Sequence, residues 1–239
     1  MIVTTEEKRM YAVMKAIYDG GIPINFKGSM VLKACLLEAG YLEETRHTVD
    51  IDANWYSAMP PTAEQMVDSL QKAIRESEIG LNVKLYRMYG EGRSAGFELA
   101  DAVTEEVLFT MDIDVNRPKP PTKIYEIEGV RFCVVAPVQM IADKLSVVST
   151  DKVFRRIKDV VDLYYLSKVF DFNLNDITQT LKNSGRNLDS FHGFLCRPED
   201  LKRSYEKFRF AGNVHKLDFQ EVYCAVKAFI REVLPKDTA

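Results

Sequence analysis

A glycine–serine turn between a short strand and a helix is the sequence feature that most constrains this fold. Gly28 and Ser29 stand between the apolar run Ile22–Phe26 and the helical run Met30–Ala39. A strand–turn–helix of this kind presents backbone N–H groups and a hydroxyl at the positive end of a helix, which suits a phosphate group. The pattern predicts an α/β arrangement with Gly28 and Ser29 as phosphate-binding residues.

Two Asp-X-Asp pairs follow on strand-like segments. Asp50 and Asp52 form the first pair, and Asp112 and Asp114 form the second. Residues two apart on a strand share one face, so each pair presents two carboxylates together. An isolated pair of this kind is usually a surface turn. Beside a phosphate site, however, clustered carboxylates need a divalent cation, which indicates Mg²⁺, with Mn²⁺ as the alternative ion. Together these features predict nucleotidyl transfer from an NTP.

Composition sets wide limits on the class of protein. The chain has 239 residues, of which 46% are hydrophobic and 28% charged, so it can bury one large core or two small ones. No apolar run approaches the roughly 20 residues of a membrane span, and the N-terminus does not resemble a signal peptide. We therefore expect a cytoplasmic protein without a membrane partner. Four scattered cysteines without a CxxC pattern argue against a zinc site and a disulfide framework.

The chain divides at a proline-rich stretch. The segment Arg117–Pro121 separates strand-like and helical runs from two short strands, and from Pro137 onward the pattern is helical. We expect an α/β domain over 1–136 and a helical domain over 137–239. The spacing also predicts a hairpin loop over Gly90–Gly96 and one continuous helix over 153–169.

The helical half carries a dense group of charges. Asp159 and Asp162 are three residues apart and share a helix face. One interpretation is that Lys144, Arg155 and Arg156 supply cations for a triphosphate, while the two aspartates orient them or join the catalytic set. The alternative is a solvated helix stabilised by salt bridges.

Five sequence blocks, in order, resemble a known family. They are Lys27–Met30, Arg46–Asp52, Ile113–Pro118, Ala142–Lys144 and Arg155–Leu163. These blocks are similar to those of the AbiEii/AbiGii type of abortive-infection toxin, within the DNA polymerase β-like nucleotidyltransferase superfamily. The resemblance implies an α+β fold, with a polymerase β-like nucleotidyltransferase mixed sheet and flanking helices, followed by a C-terminal helical bundle.

The resemblance also implies roles for individual residues. It gives Gly28 and Ser29 as the phosphate-holding turn, Asp50 and Asp52 as metal ligands, and Asp114 as the third carboxylate, with Asp112 as its rival. It implies Lys144 as the motif lysine. The nucleotide-binding residues it implies within the blocks are Lys27, Arg46, Thr48, Arg155, Arg156, Asp159 and Asp162.

The implied activity is that of a toxin in a type IV toxin–antitoxin system, acting in abortive infection and phage defence. The implied partners are an NTP, a cognate antitoxin and an acceptor, either RNA such as tRNA or a protein. Two alternatives stay open: a nucleotidyltransferase that modifies a small molecule or a protein, and a catalytically silent binding module of the same fold. Basic and aromatic residues in Lys202–Phe210 could form an RNA surface or an ordinary amphipathic helix.

Overall fold

The fold is described from a computed structural model, for residues 3–41, 43, 45–90, 92–115, 119–127, 129–210 and 216–233. Positions 116–118 of one sequence block lie outside these ranges. The chain forms two compact units, Met1–Glu38 with Thr45–Ala136, and Ala39–Glu44 with Pro137–Ala239. The sequence did not assign residues 39–44 to the second unit. A division into two domains at 136/137 stays a prediction.

Within its described residues, the first unit combines a sheet with three helices. Its helices are α1 (Thr5–Asp19), α2 (Gly28–Glu38) and α3 (Ala63–Glu76). Its strands are β1 (Ile24–Lys27), β2 (Asp50–Trp55), β3 (Leu81–Tyr89), β4 (Ser94–Asp101), β5 (Val107–Val115), β6 (Thr122–Ile127) and β7 (Val130–Val135). Helix α1 begins at a capping box, in which Thr4 and Glu7 satisfy each other's backbone N–H groups.

The strands form a mixed sheet whose order within the described residues is β3-β4-β5-β2-β1-β7-β6. Strand β2 pairs in parallel with β5, and β1 with β7, while the other neighbours are antiparallel. Apolar side chains on one face are fully buried, as for Ile51, Ala53, Met111 and Ile113. The alternating aspartates of β2 and β5 therefore lie on the opposite, more polar face. The α+β mixed-sheet prediction is confirmed.

The predicted hairpin loop over Gly90–Gly96 is too long. Strand β3 continues to Tyr89 and β4 already begins at Ser94. Ser94, Ala95 and Gly96 pair in register with Asp114, Ile113 and Asp112 of β5. Pairing with two neighbouring strands outweighs the turn preference of these small residues, because it satisfies their backbone hydrogen bonds.

The second unit is helical within its described residues. Its elements are α4 (Pro137–Val148), a short 3₁₀ helix (Asp151–Arg155), α5 (Ile157–Val169), α6 (Leu174–Asn183), α7 (His192–Cys196), α8 (Pro198–Lys207) and α9 (Phe219–Val233). The continuous helix expected over 153–169 is wrong. The Thr150 side chain caps the 3₁₀ helix, and Arg156, with φ −123° and ψ 33°, separates it from α5. None of the described helices is long and apolar enough to cross a membrane.

Candidate active site

The glycine–serine turn brings the start of α2 against a carboxylate of β2. Gly28 has a φ of +73°, a conformation that favours glycine, and a Cβ atom there would lie 2.2 Å from Oδ2 of Asp52. The sequence therefore needs glycine at this position for two separate reasons. The backbone N–H groups that begin α2 lie beside Asp52, so a phosphate at the turn would adjoin this carboxylate.

Arg46 and Thr48, which precede β2, contact the turn and the first aspartate respectively. Arg46 and Ser29 are both buried, and the Arg46 guanidinium donates to Oγ of Ser29 at 3.2 Å. The Thr48 hydroxyl lies 3.0 Å from Oδ1 of Asp50 and 3.1 Å from its carbonyl oxygen. The block Arg46–Asp52 thus positions the phosphate turn and the first aspartate at once.

Register decides which aspartate of β5 lies beside the first pair. Asp112 pairs with Asp52, whereas Asp114 pairs with Asn54. Neighbouring strands lie about 4.8 Å apart, and two residues along a strand span about 6.6 Å. Asp112 is therefore the nearer of the two to both Asp50 and Asp52.

Asp114 belongs to a separate hydrogen-bonded group. Lys27 donates from Nζ to Oδ2 of Asp114 at 2.7 Å and to Oδ1 of Asn54 at 2.7 Å. The Ser94 hydroxyl donates to the other oxygen of Asp114. Asn54 in turn donates to the Tyr56 hydroxyl at 2.8 Å. Lys27 directly precedes Gly28 in the chain, and these contacts hold its ammonium over Asn54 and Asp114.

Asp112 is bonded on the side of β3. The Arg87 guanidinium donates to both Asp112 oxygens, at 3.0 and 3.3 Å. Tyr89 also hydrogen-bonds Asp112, and burial together with that carboxylate's charge raises the pKa of Tyr89 to about 12. Tyr89 is therefore protonated at neutral pH and can donate. Sequence reasoning missed both residues, although the run Tyr86–Tyr89, with a cation between aromatics, was a usable signal.

The aspartates of β2 and β5 can supply some, but not all, of the oxygen ligands of a divalent cation such as Mg²⁺. Among the described residues, no three or more histidine, cysteine, aspartate or glutamate side chains form a ready metal site. Mg²⁺ does not require one, because it is usually bound by one or two carboxylates with water and substrate phosphates. Asp52 and Asp112, neighbours in register beside the phosphate turn, supply oxygen ligands of that kind. Mn²⁺ accepts the same ligands.

The charged group of the second unit is a buried cluster. Lys144 donates to Asp162 at 2.7 Å and to Asp159 at 3.1 Å, and Arg156 pairs with Asp159 at 2.7 Å. Burial alone would lower the pKa of Lys144, but the two carboxylates outweigh it and raise that pKa. Arg155 is exposed. The structure thus joins Lys144 to both aspartates, while nucleotide binding by these five residues stays a prediction.

A buried ion pair between α1 and α2 contacts the segment that leads into β2. Lys33 of α2 donates to Glu7 of α1, and His47 lies 3.4 Å from the other Glu7 oxygen. Both Glu7 and Lys33 are almost fully buried. Because His47 lies between Arg46 and Thr48, its contact with Glu7 connects α1 and α2 to the block Arg46–Asp52. The sequence signal was a lysine inside the apolar run Met30–Leu37.

Comparison with known proteins gives one family and several similar structures. The family described as "Nucleotidyl transferase AbiEii toxin, Type IV TA system" matches residues 17–230. The nucleotidyltransferase toxin MenT4 from Mycobacterium tuberculosis H37Rv is 13% identical, with a TM-score of 0.53 over 95% of this chain and 89% of its own. An antigenic nucleotidyltransferase-like protein from Paracoccidioides brasiliensis is 15% identical, with a TM-score of 0.47 over 84% and 94%. The search of curated proteins gave no match.

Proposed function

This chain belongs to the AbiEii family of nucleotidyltransferase toxins, and we propose that it moves a nucleoside monophosphate from an NTP to an acceptor hydroxyl in a Mg²⁺-dependent reaction. The observation that carries the proposal is the contact of the Gly28 turn with Asp52, whose neighbour in register is Asp112. This arrangement puts an anion site and two carboxylates side by side, as transfer of a charged phosphoryl group requires.

The phosphate turn would hold the leaving group. Backbone N–H groups at the start of α2, with the Ser29 hydroxyl, would bind the β- and γ-phosphates. The Lys27 ammonium, held by Asp114 and Asn54, would offset charge that develops there as the bond between the α-phosphorus and the bridging oxygen breaks. Pyrophosphate would then leave from the side of the turn.

The carboxylates would act at the α-phosphate and the acceptor. Asp52 and the third carboxylate, with Asp50 on the same strand face, would hold Mg²⁺ together with water and the substrate phosphates, and the ion would supply positive charge at those phosphates. The acceptor oxygen attacks the α-phosphorus and its proton passes to the third carboxylate. Sequence resemblance implies Asp114 in this role, but the register with Asp52 supports its rival Asp112, and the contacts of Asp114 support a positioning role toward Lys27.

Label transfer tests the reaction. Purified protein is incubated with each α-³²P-labelled NTP and with either RNA, including tRNA, or protein as acceptor, in Mg²⁺, Mn²⁺ or EDTA. We expect labelled acceptor that depends on the metal, and none from Asp52→Asn, whose side chain keeps its size. Equal labelling by the two proteins would remove Asp52 from the mechanism.

The same pair of proteins tests the toxin role and the open alternatives. Expression of the wild type should arrest growth, a cognate antitoxin should relieve the arrest, and Asp52→Asn should not be toxic. Binding of NTP without transfer to any acceptor would instead indicate a silent binding module. Transfer only to a small molecule would favour an enzyme of that kind over a toxin acting on RNA or protein.

A further inference from the structure

A row of five register partners crosses the polar face of the sheet. Lys27, Asp52, Asp112, Gly96 and Arg87 are paired in that order on β1, β2, β5, β4 and β3. The row has two carboxylates in the middle, a cation at either end, and a glycine between Asp112 and Arg87. Lys27, at the β1 end, directly precedes Gly28 of the phosphate turn in the chain. The cation at the β3 end had no role in the proposed reaction.

Gly96 is the reason that Arg87 can reach Asp112 across a whole strand. A Cβ atom at Gly96 would lie 2.6 Å from Cε1 of Tyr86, 2.9 Å from Cγ of Arg87 and 2.9 Å from Oδ1 of Asp112. Real Cβ contacts are not that short, so any other residue would push these three side chains apart. The sequence thus leaves a passage through which the guanidinium contacts both oxygens of the carboxylate.

We propose that Arg87 is a built-in counter-ion for Asp112, which holds this carboxylate in the metal-free protein and competes with the divalent cation for it. The inference rests on the proposed function, because it takes Asp112 as a ligand of that cation. The bond to Arg87 and the bond to the cation use the same two oxygens, so one replaces the other. Arg87 thereby sets the cation concentration at which the site fills.

The surroundings of Arg87 make the exchange inexpensive. The Arg87 side chain is 50% exposed and that of Asp112 30% exposed, and ion pairs this accessible to water are weak. The guanidinium carbon also lies 4.7 Å from the Tyr86 ring centre and 5.2 Å from that of Tyr89. These aromatic faces can keep the cation in place after it leaves the carboxylate.

Thermal unfolding of the full chain during a Mg²⁺ titration tests the competition without any acceptor or NTP. The variant is Arg87→Gln, and the matched control is Arg131→Gln, which removes the same charge from an exposed pair with Glu126 on the same sheet. Arg87→Gln should unfold at a lower temperature in EDTA, because the repulsion between Asp52 and Asp112 is then no longer offset by the Arg87 guanidinium. Its Mg²⁺ midpoint should be about three-fold lower than that of the wild type, the size of one weak ion pair.

A second variant separates charge from geometry. Arg87→Lys keeps the charge but loses the two-pronged bond, so its Mg²⁺ midpoint should fall between those of the wild type and Arg87→Gln. A midpoint for Arg87→Gln equal to that of Arg131→Gln, or higher than the wild-type value, would overturn the competition alone. Two outcomes would overturn the proposed metal site as well. They are a Mg²⁺ response that persists in Asp52→Asn, and a wild type that shows no Mg²⁺ response.

Discussion

The Asp52 carboxylate occupies the space that a side chain at Gly28 would need. A Cβ atom at that glycine would lie 2.2 Å from Oδ2 of Asp52 and 2.9 Å from its Cβ atom. The phosphate turn and the metal-binding strand therefore fit together only when position 28 has no side chain. Two blocks that are distant in the sequence constrain each other through this one contact.

Gly28→Ala should abolish nucleotidyl transfer. The alanine side chain would displace Asp52, and the positive φ would add a cost of about 1–2 kcal/mol. Gly80→Ala is the matched control, since Gly80 has a φ of +71° and nothing lies within 4 Å of its Cβ position. The control should lose only stability, measured by urea unfolding, and should keep its label transfer. Equal transfer by both variants would mean that the Asp52 contact does not matter.

Asp112→Asn and Asp114→Asn should differ in kind. Asp112→Asn should lose transfer and the Mg²⁺ response in thermal unfolding together. Asp114→Asn should keep that response and lose about ten-fold or more in catalytic efficiency at low NTP, because a hydrogen bond between charged groups contributes about 1.5–3 kcal/mol. Its effect would come from a misplaced Lys27. The reverse pattern would return the third carboxylate to Asp114.

Glu7→Gln should destabilise the first unit by about 3 kcal/mol or more at neutral pH, because it leaves Lys33 buried without an anion. Burial alone would raise the pKa of Glu7, but Lys33 and the Thr4 N–H group outweigh it and lower that pKa below its ordinary 4.5. A lowered pKa stabilises the fold above the unfolded value and loses this effect as pH falls through the folded value.

Urea unfolding at several pH values measures this difference. The gap in unfolding free energy between wild type and Glu7→Gln should be widest at neutral pH and should shrink below about pH 4.5. Glu6→Gln changes an exposed neighbour on the same helix and should stay close to the wild type throughout. A gap that stays constant down to pH 3 would show that the charge of Glu7 is not the cause.

Lys144→Met should destabilise the second unit, because Asp159 and Asp162 would then share a buried site without their common cation. Breaking a buried pair in this way costs about 3–5 kcal/mol. Lys182→Met, on an exposed position of α6, is the control and should unfold like the wild type. If Lys144→Met keeps its stability but no longer binds NTP, the lysine serves the nucleotide rather than the fold.

The local parts of the site were within reach of the sequence. Gly28 and Ser29 stood where an apolar run met a helical one, and a positive φ at that glycine is what such a turn needs. Asp50 and Asp52 alternated with a buried isoleucine, which indicated a strand with one polar face. Patterns of this kind depend on a few neighbouring residues, so periodicity and turn chemistry suffice to find them.

The choice between Asp112 and Asp114 was not within reach, because it depends on the register between β2 and β5. A shift of two residues would exchange the two aspartates and keep every apolar side chain on the same face, so hydrophobic pattern cannot distinguish the alternatives. The contact of Arg87 with Asp112 over Gly96 could not be predicted from the sequence for the same reason. It depends on three strands that a reading of local propensity treats one at a time.

The row of register partners from Lys27 to Arg87 also determines when a newly made chain can become active. Lys27 lies on β1, which pairs with both β2 and β7, and Asp52 meets Asp112 only after β5 has joined the sheet. Such pairings between distant parts of a chain form slowly, after the closure of long loops. A ribosome-bound chain that ends before Val115 lacks the strand that completes the row. Activity would thus begin only after β5 has joined β2 in the sheet, and not with the completion of the glycine–serine turn alone.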